Sequence, residues 1–133
     1  MEVEAVWQEG MRFEVASGSG HTWTVDGPPE LGGANAGPRP MELMLASAVT
    51  CSGIDVVEIL RKGRRSFDGV TVKAVGERSD KVPKVFTRIE LRFAVRGADP
   101  AHAARAVELS ASKYCSALRM LDGAAEISWS LEA

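Results

Sequence analysis

Between residues 43 and 60 this chain carries only two charges, Asp55 and Glu58. That stretch, extended to about 41–62, reads as one long helix. Pro40 suits a first helical turn, where its missing N–H costs nothing, and Gly63 suits the end. Arg61, Lys62, Arg64 and Arg65 gather where the helix dipole is negative, which is ordinary helix chemistry and needs no further function. Apolar residues cover most of the circumference rather than one stripe, the pattern of a helix surrounded by protein. A chain of 133 residues can hardly enclose such a helix by itself. Burial by a second subunit is therefore expected. The uncharged run over 43–54 is shorter than the roughly 18 residues of a membrane span, so no membrane association is expected.

The segments around the helix alternate with the period of strands. Val3, Ala5 and Trp7 share one face, and Phe13 and Val15 share another. Gly10 sits between them where a tight turn needs a permissive backbone. A third short strand over 21–25 completes an opening meander. Glycine, proline, asparagine and alanine over 27–40 mark a surface crossover. After the helix, Val70, Val72 and Ala74 outline a strand, residues 79–83 a polar hairpin loop, and 85–96 the clearest alternation in the chain. Asp99-Pro100 pairs an N-cap carboxylate with a proline at the first helical position. Val107, Ala111, Tyr114, Cys115 and Leu118 then mark the inward face of a second helix. Asp122-Gly123 closes it, and Ile127, Trp129 and Leu131 form a last strand. This order predicts an α+β fold in a single domain, 1–133.

Lys and Arg number 16 against 18 Asp and Glu, a formal charge of -2. With no basic field, nucleic acid is not an expected partner. The acidic, alternating N-terminus is unlike a secretory signal, so a cytoplasmic location is expected. In a reducing compartment the two cysteines, Cys51 in the middle of the long helix and Cys115 near the end of the second, are either buried bystanders or members of a transient redox couple. A thiol acts as nucleophile only as the thiolate, so Cys51 needs a nearby cation or donors, and the hydroxyls of Thr50 and Ser52 are candidate donors. Free cysteine is also among the most buried residue types, which keeps the inert reading open. His21 has no second ligand at a metal spacing, with His102 the only other histidine, and no metal site is predicted.

The runs Pro-Met-Glu-Leu-Met-Leu-Ala-Ser-Ala-Val-Thr-Cys-Ser-Gly-Ile-Asp-Val-Val (40–57) and Leu-Ser-Ala-Ser-Lys-Tyr-Cys-Ser-Ala-Leu (109–118) resemble the OsmC/Ohr family of osmotically induced and organic-hydroperoxide-resistance proteins. The element order is similar over nearly the whole chain. The resemblance implies an intertwined homodimer, with β-sheets wrapped around two long central helices. It also implies thiol-dependent reduction of organic hydroperoxides, with no bound cofactor. Cys51 matches the peroxidatic cysteine, and Cys115 the resolving cysteine. An external dithiol, a lipoyl group in some members, would reduce their disulfide. The family further uses an early-strand arginine to stabilise the thiolate and an upstream glutamate to hold it. The matching positions here are Arg12 and Glu42, with Arg39 and Arg88 as substitutes for the arginine. Nine residues of helix put Glu42 on the opposite face from Cys51 and roughly 13 Å along the axis. Displacement of this pair leaves a second reading, a non-catalytic or small-ligand-binding dimer with inert buried cysteines.

Overall fold

A computed structural model describes residues 1–133. The chain divides into two compact units, Met1–Met44 and Leu45–Ala133. The first is the expected meander. Strands β1 (Val3–Glu9), β2 (Arg12–Ser17) and β3 (Thr22–Val25) pair antiparallel in that order. Gly10 turns the first hairpin at φ +53°, the left-handed region that glycine enters without steric penalty. Trp7 faces Phe13 across the pair, yet both rings remain exposed, as do Val3, Val6 and Met11.

The crossover after β3 is held by a residue the sequence patterning passes over. Asp26 is 2% exposed and accepts hydrogen bonds from the backbone N–H groups of Gly27, Ala34 and Ala36, at 2.7, 3.0 and 3.0 Å. These bonds, led by that from Ala36, outweigh burial and hold its carboxyl below the usual 3.8. One side chain thus gives partners to amides that would otherwise be unpaired in a loop of glycine and proline. The loop is tight enough that a Cβ on Gly33 would collide with the Gly27 carbonyl.

Helix α1 (Pro40–Lys62) begins in the first unit and continues through the second. Ala48, Ser52, Val56 and Leu60, spaced by four, form its buried stripe. Ile54 on another face is 66% exposed. At 23 residues, α1 is long and apolar enough, on length and composition alone, to cross a membrane. The sequence count gives a shorter run because it covers uncharged residues only and stops at the carboxylate of Asp55. Helices that pack inside soluble proteins pass the same test, and 22% of the apolar stretch of α1 is buried within the chain. Gly63 follows the last turn as expected, but the left-handed residue is Arg64, at φ +54°, and the Arg65 N–H closes the end on the Leu60 carbonyl at 2.9 Å.

The remaining strands, β4 (Gly69–Arg78), β5 (Phe86–Arg96) and β6 (Glu126–Leu131), form a second sheet in the order β4-β5-β6. The β4–β5 hairpin is antiparallel, whereas β6 runs parallel to β5 with Leu91 beside Trp129. A parallel neighbour needs a crossover, which α2 (Pro100–Leu109) and α3 (Ser116–Leu121) supply. Asp99 caps α2, accepting from the N–H groups of Ala101 and His102 at 2.9 and 3.3 Å. Ile89, Leu91 and Phe93 of β5 are fully buried, as are Val56, Ala106, Ala111 and Leu118.

The second helix is not continuous. A π turn over Ser110–Tyr114 separates α2 from α3, and the Cys115 N–H bonds the Ser110 carbonyl at 2.9 Å. Cys115 itself is extended, at φ -68° and ψ 109°. The predicted inward face holds for Val107, Ala111, Cys115 and Leu118 but not for Tyr114, which is 52% exposed. An unbroken 3.6-residue period carried through the break is what misplaces it.

Candidate functional site

The site is built within the second unit by α1 and the segment that breaks the second helix. Cys51 and Asp55 lie one turn apart on α1, on a shared face. The π turn brings Cys115 to the same place, although 64 residues (115 − 51) separate the two cysteines in sequence. The two sulfur atoms and an Asp55 carboxylate oxygen all lie within 4.8 Å of one another. Both thiols are free. Cys51 is half-buried and Cys115 fully buried.

Local hydrogen bonds explain why the group holds together. Ser110 is buried, and its hydroxyl is 3.0 Å from the Ser52 carbonyl and 3.3 Å from Asp55 Oδ2, positioned to donate to either. It therefore ties the π turn to α1. Leu118 N–H reaches Cys115 Sγ at 3.4 Å, so the thiol stands as N-cap of α3. Thr50 and Ser52 do not serve as donors to Cys51 in the way the sequence suggests. Their hydroxyls turn back on their own helix, donating at 2.7 Å to the carbonyls of Ala46 and Ala48.

The electrostatics of the cluster are acidic. Burial pushes the Cys115 thiol up to about 11; the hydrogen bond from Leu118 opposes this, while Cys51 and Asp55 push further in the same direction. Asp55 is itself raised above 3.8, first by desolvation and then by the charge of Glu58, against the lowering effect of Ser110. Asp55 is the site residue that sequence reading misses. Its signal was available as a carboxylate four residues after a cysteine in an otherwise nearly uncharged helix.

Arg12 and Glu42 belong to the first unit and are engaged there. Arg12 Nη2 pairs with Glu9 Oε1 at 2.8 Å, and Glu42 Oε1 accepts from the Arg39 N–H at 2.9 Å, a cap on the start of α1. Of the alternative arginines, Arg39 donates from Nη1 to Asn35 Oδ1 at 2.9 Å and to the Gly37 carbonyl at 3.0 Å. Arg88 stands on β5 opposite Glu77.

Comparison with known proteins gives a consistent picture. Protein YhfA of Escherichia coli K12 is 44% identical over 134 residues, covering 99% of this chain and 97% of that protein. The crystal structure of a hypothetical protein from Aquifex aeolicus VF5 is similar with a TM-score of 0.82 and 32% identity, over 98% of this chain and 95% of that one. At 18% identity an organic hydroperoxide resistance protein OsmC from Legionella pneumophila shares the fold, with a TM-score of 0.77 over 99% of this chain and 96% of the other. The family described as OsmC-like protein matches residues 32–130, which take in α1, the π turn and both cysteines. The two cysteine-bearing segments and the α+β order around them thus have one common explanation: the chain belongs to the OsmC-like protein family.

Proposed function

We propose that this protein is a thiol-dependent peroxidase that reduces organic hydroperoxides to alcohols. The observation that carries the reading is the convergence of two free thiols from distant segments at one place. Cys51 is the peroxidatic residue because it is the half-exposed member of the pair, the one a peroxide can reach. Its thiolate attacks the peroxide oxygen, the O–O bond breaks, and the alkoxide leaving group takes a proton to leave as alcohol. Cys51 is then a sulfenic acid. The Cys115 sulfur attacks it, water departs, and a Cys51–Cys115 disulfide remains. An external dithiol, of lipoyl type by family resemblance, returns both thiols and is itself oxidised to a disulfide.

Cys115 is protonated at neutral pH, so its attack on the sulfenic acid is coupled to loss of a proton. The Asp55 carboxylate, within 4.8 Å, is the nearby acceptor. Arg12 and Glu42 are proposed, on resemblance alone, as the pair that favours the Cys51 thiolate.

The working form is a homodimer in the cytoplasm. What supports a dimer is apolar surface left open in each unit. In the second, a groove of about 850 Å³ runs between α1 and β4, lined by Val49, Gly53, Ile54, Val57, Val70 and Val72. In the first, Val3, Val6 and Trp7 are exposed. Surfaces of this kind mark association.

The test is a thiol count on reduced, chelator-treated protein mixed with cumene hydroperoxide. Two thiols per chain should disappear as one alcohol forms, and Cys51→Ser should abolish both changes. Persistence of the thiols under excess peroxide would reject the peroxidase and leave the alternative, a non-catalytic or small-ligand-binding dimer.

A further inference from the structure

Two sulfurs and a carboxylate oxygen gathered within 4.8 Å also constitute a donor set for a metal ion. We propose that Cys51, Asp55 and Cys115 bind one zinc-class divalent cation per chain, in competition with disulfide formation. The proposal goes beyond peroxide chemistry and does not depend on it.

The donor chemistry selects the ion. Two thiolates favour a borderline-soft cation such as Zn²⁺ over Mg²⁺ or Ca²⁺, which take oxygen ligands. Three protein ligands leave one tetrahedral position for water, the arrangement of an open zinc site rather than a closed structural one. Zn–S distances of about 2.3 Å place two tetrahedral sulfur ligands roughly 3.8 Å apart. The donor atoms, none farther than 4.8 Å from another, need to draw in by about 1 Å at most. Cys115 can make that adjustment because its backbone lies outside regular helix, between the π turn and α3.

The surroundings are those of a ligand set as well. Ser110, 3.3 Å from Asp55 Oδ2, is placed to donate to that carboxylate, as an outer-shell partner does at metal sites. Cys51 is half-buried, which gives an ion a way in, while Cys115 is fully buried. Ionised together, the three side chains carry three negative charges, and a divalent cation neutralises two of them. Sequence patterning does not expose this site because its ligands do not share a local spacing motif: Cys51 and Asp55 are one helical turn apart, and Cys115 comes from a different element.

Binding replaces the thiol protons. The reduced pair loses two protons to solvent and the two sulfurs ligate the ion as thiolates. The disulfide offers no thiolate, so ion and disulfide are alternative states of the same two sulfurs. A bound ion therefore withholds Cys51 from alkylating or oxidising reagents until it dissociates.

The experiment uses the reduced full-length chain under anaerobic conditions with Co²⁺ and Zn²⁺ as probes. Co²⁺ should bind at one per chain with a near-ultraviolet thiolate-to-cobalt charge-transfer band, and Zn²⁺ should bleach it. Asp55→Asn should keep the band and weaken binding by about tenfold or more; Cys115→Ser should weaken both. In the unaltered protein, saturating Zn²⁺ should slow alkylation of both cysteines at least tenfold, and a chelator should restore it; this arm is independent of any variant's folding. Absence of the band, an unchanged affinity in a folded Asp55→Asn, or alkylation indifferent to zinc would each overturn the site. The peroxide assay is run in chelator, so its failure and this one are separately visible.

Discussion

Cys115 should remain largely un-ionised at pH values where an ordinary thiol is mostly thiolate, and its alkylation rate makes this measurable. The perturbation is Cys51→Ser, which leaves Cys115 as the single cysteine and removes only the minor contributions of Cys51; burial, the principal cause of the rise to about 11, stays in place. A thiol titrating at the ordinary 9.0 is about half ionised at pH 9 and about nine-tenths ionised at pH 10, less than a twofold change. One titrating at about 11 goes from about 1% to about 9% thiolate over the same unit, a change of about ninefold. The ratio of the two rates is insensitive to slow reagent access and to the intrinsic nucleophilicity of the thiolate, since both cancel. The assay is iodoacetamide labelling followed by intact mass at pH 9 and 10, in native buffer and in urea, with circular dichroism confirming the fold at each pH. A native rate that rises less than twofold between pH 9 and 10, as is expected of the unfolded sample in urea, would refute the account of Cys115 as a thiol held neutral by burial.

Phe93 is fully buried on β5, the middle strand of its sheet, so Phe93→Ala should cost about 3–5 kcal/mol in a urea melt; a loss under 1 kcal/mol would mean the sheet can collapse into the space. Arg64 occupies the left-handed position after α1. Relief of its steric strain should exceed the entropy cost of glycine, so Arg64→Gly should stabilise by about 0.5–1 kcal/mol, and a destabilised variant would contradict this. Asp26 is held below 3.8 chiefly by the Ala36 N–H, so its contribution is present above that value and is lost as pH falls through its lower folded value. Asp26→Ala should therefore lower Tm at pH 7 and flatten the acid limb of the Tm profile. A constant Tm deficit from pH 7 down to pH 2 would show that the carboxylate charge is not what matters.

Where the fold was legible, a single period ran uninterrupted through an element. The alternation over 85–96 and the meander around Gly10 appear as expected, with β5 beginning at Phe86. Tyr114 was misplaced because nothing in Ser-Ala-Ser-Lys-Tyr announces a π turn, a feature set by tertiary contact with α1 through Ser110. The parallel pairing of β6 was equally hidden, since alternation marks a strand without naming its neighbour. Both cysteines were identifiable as candidates by type and motif, but their proximity was not, because it depends on that same turn. Asp55 and Asp26 share one reason for being overlooked: an isolated carboxylate reads as solvated until its partners are known.

The irregular stretch between α2 and α3 also constrains chain length. Removing one residue from 110–114 would shift the register of everything after it, carrying the second sulfur away from α1 and Leu118 out of the core. Substitutions on the exposed side of that stretch, at Ser112 or Lys113, touch neither relation. Drift in residue type is therefore affordable there, whereas gain or loss of a single position is not, and the spacing between Ser110 and Cys115 acts as a ruler for the site.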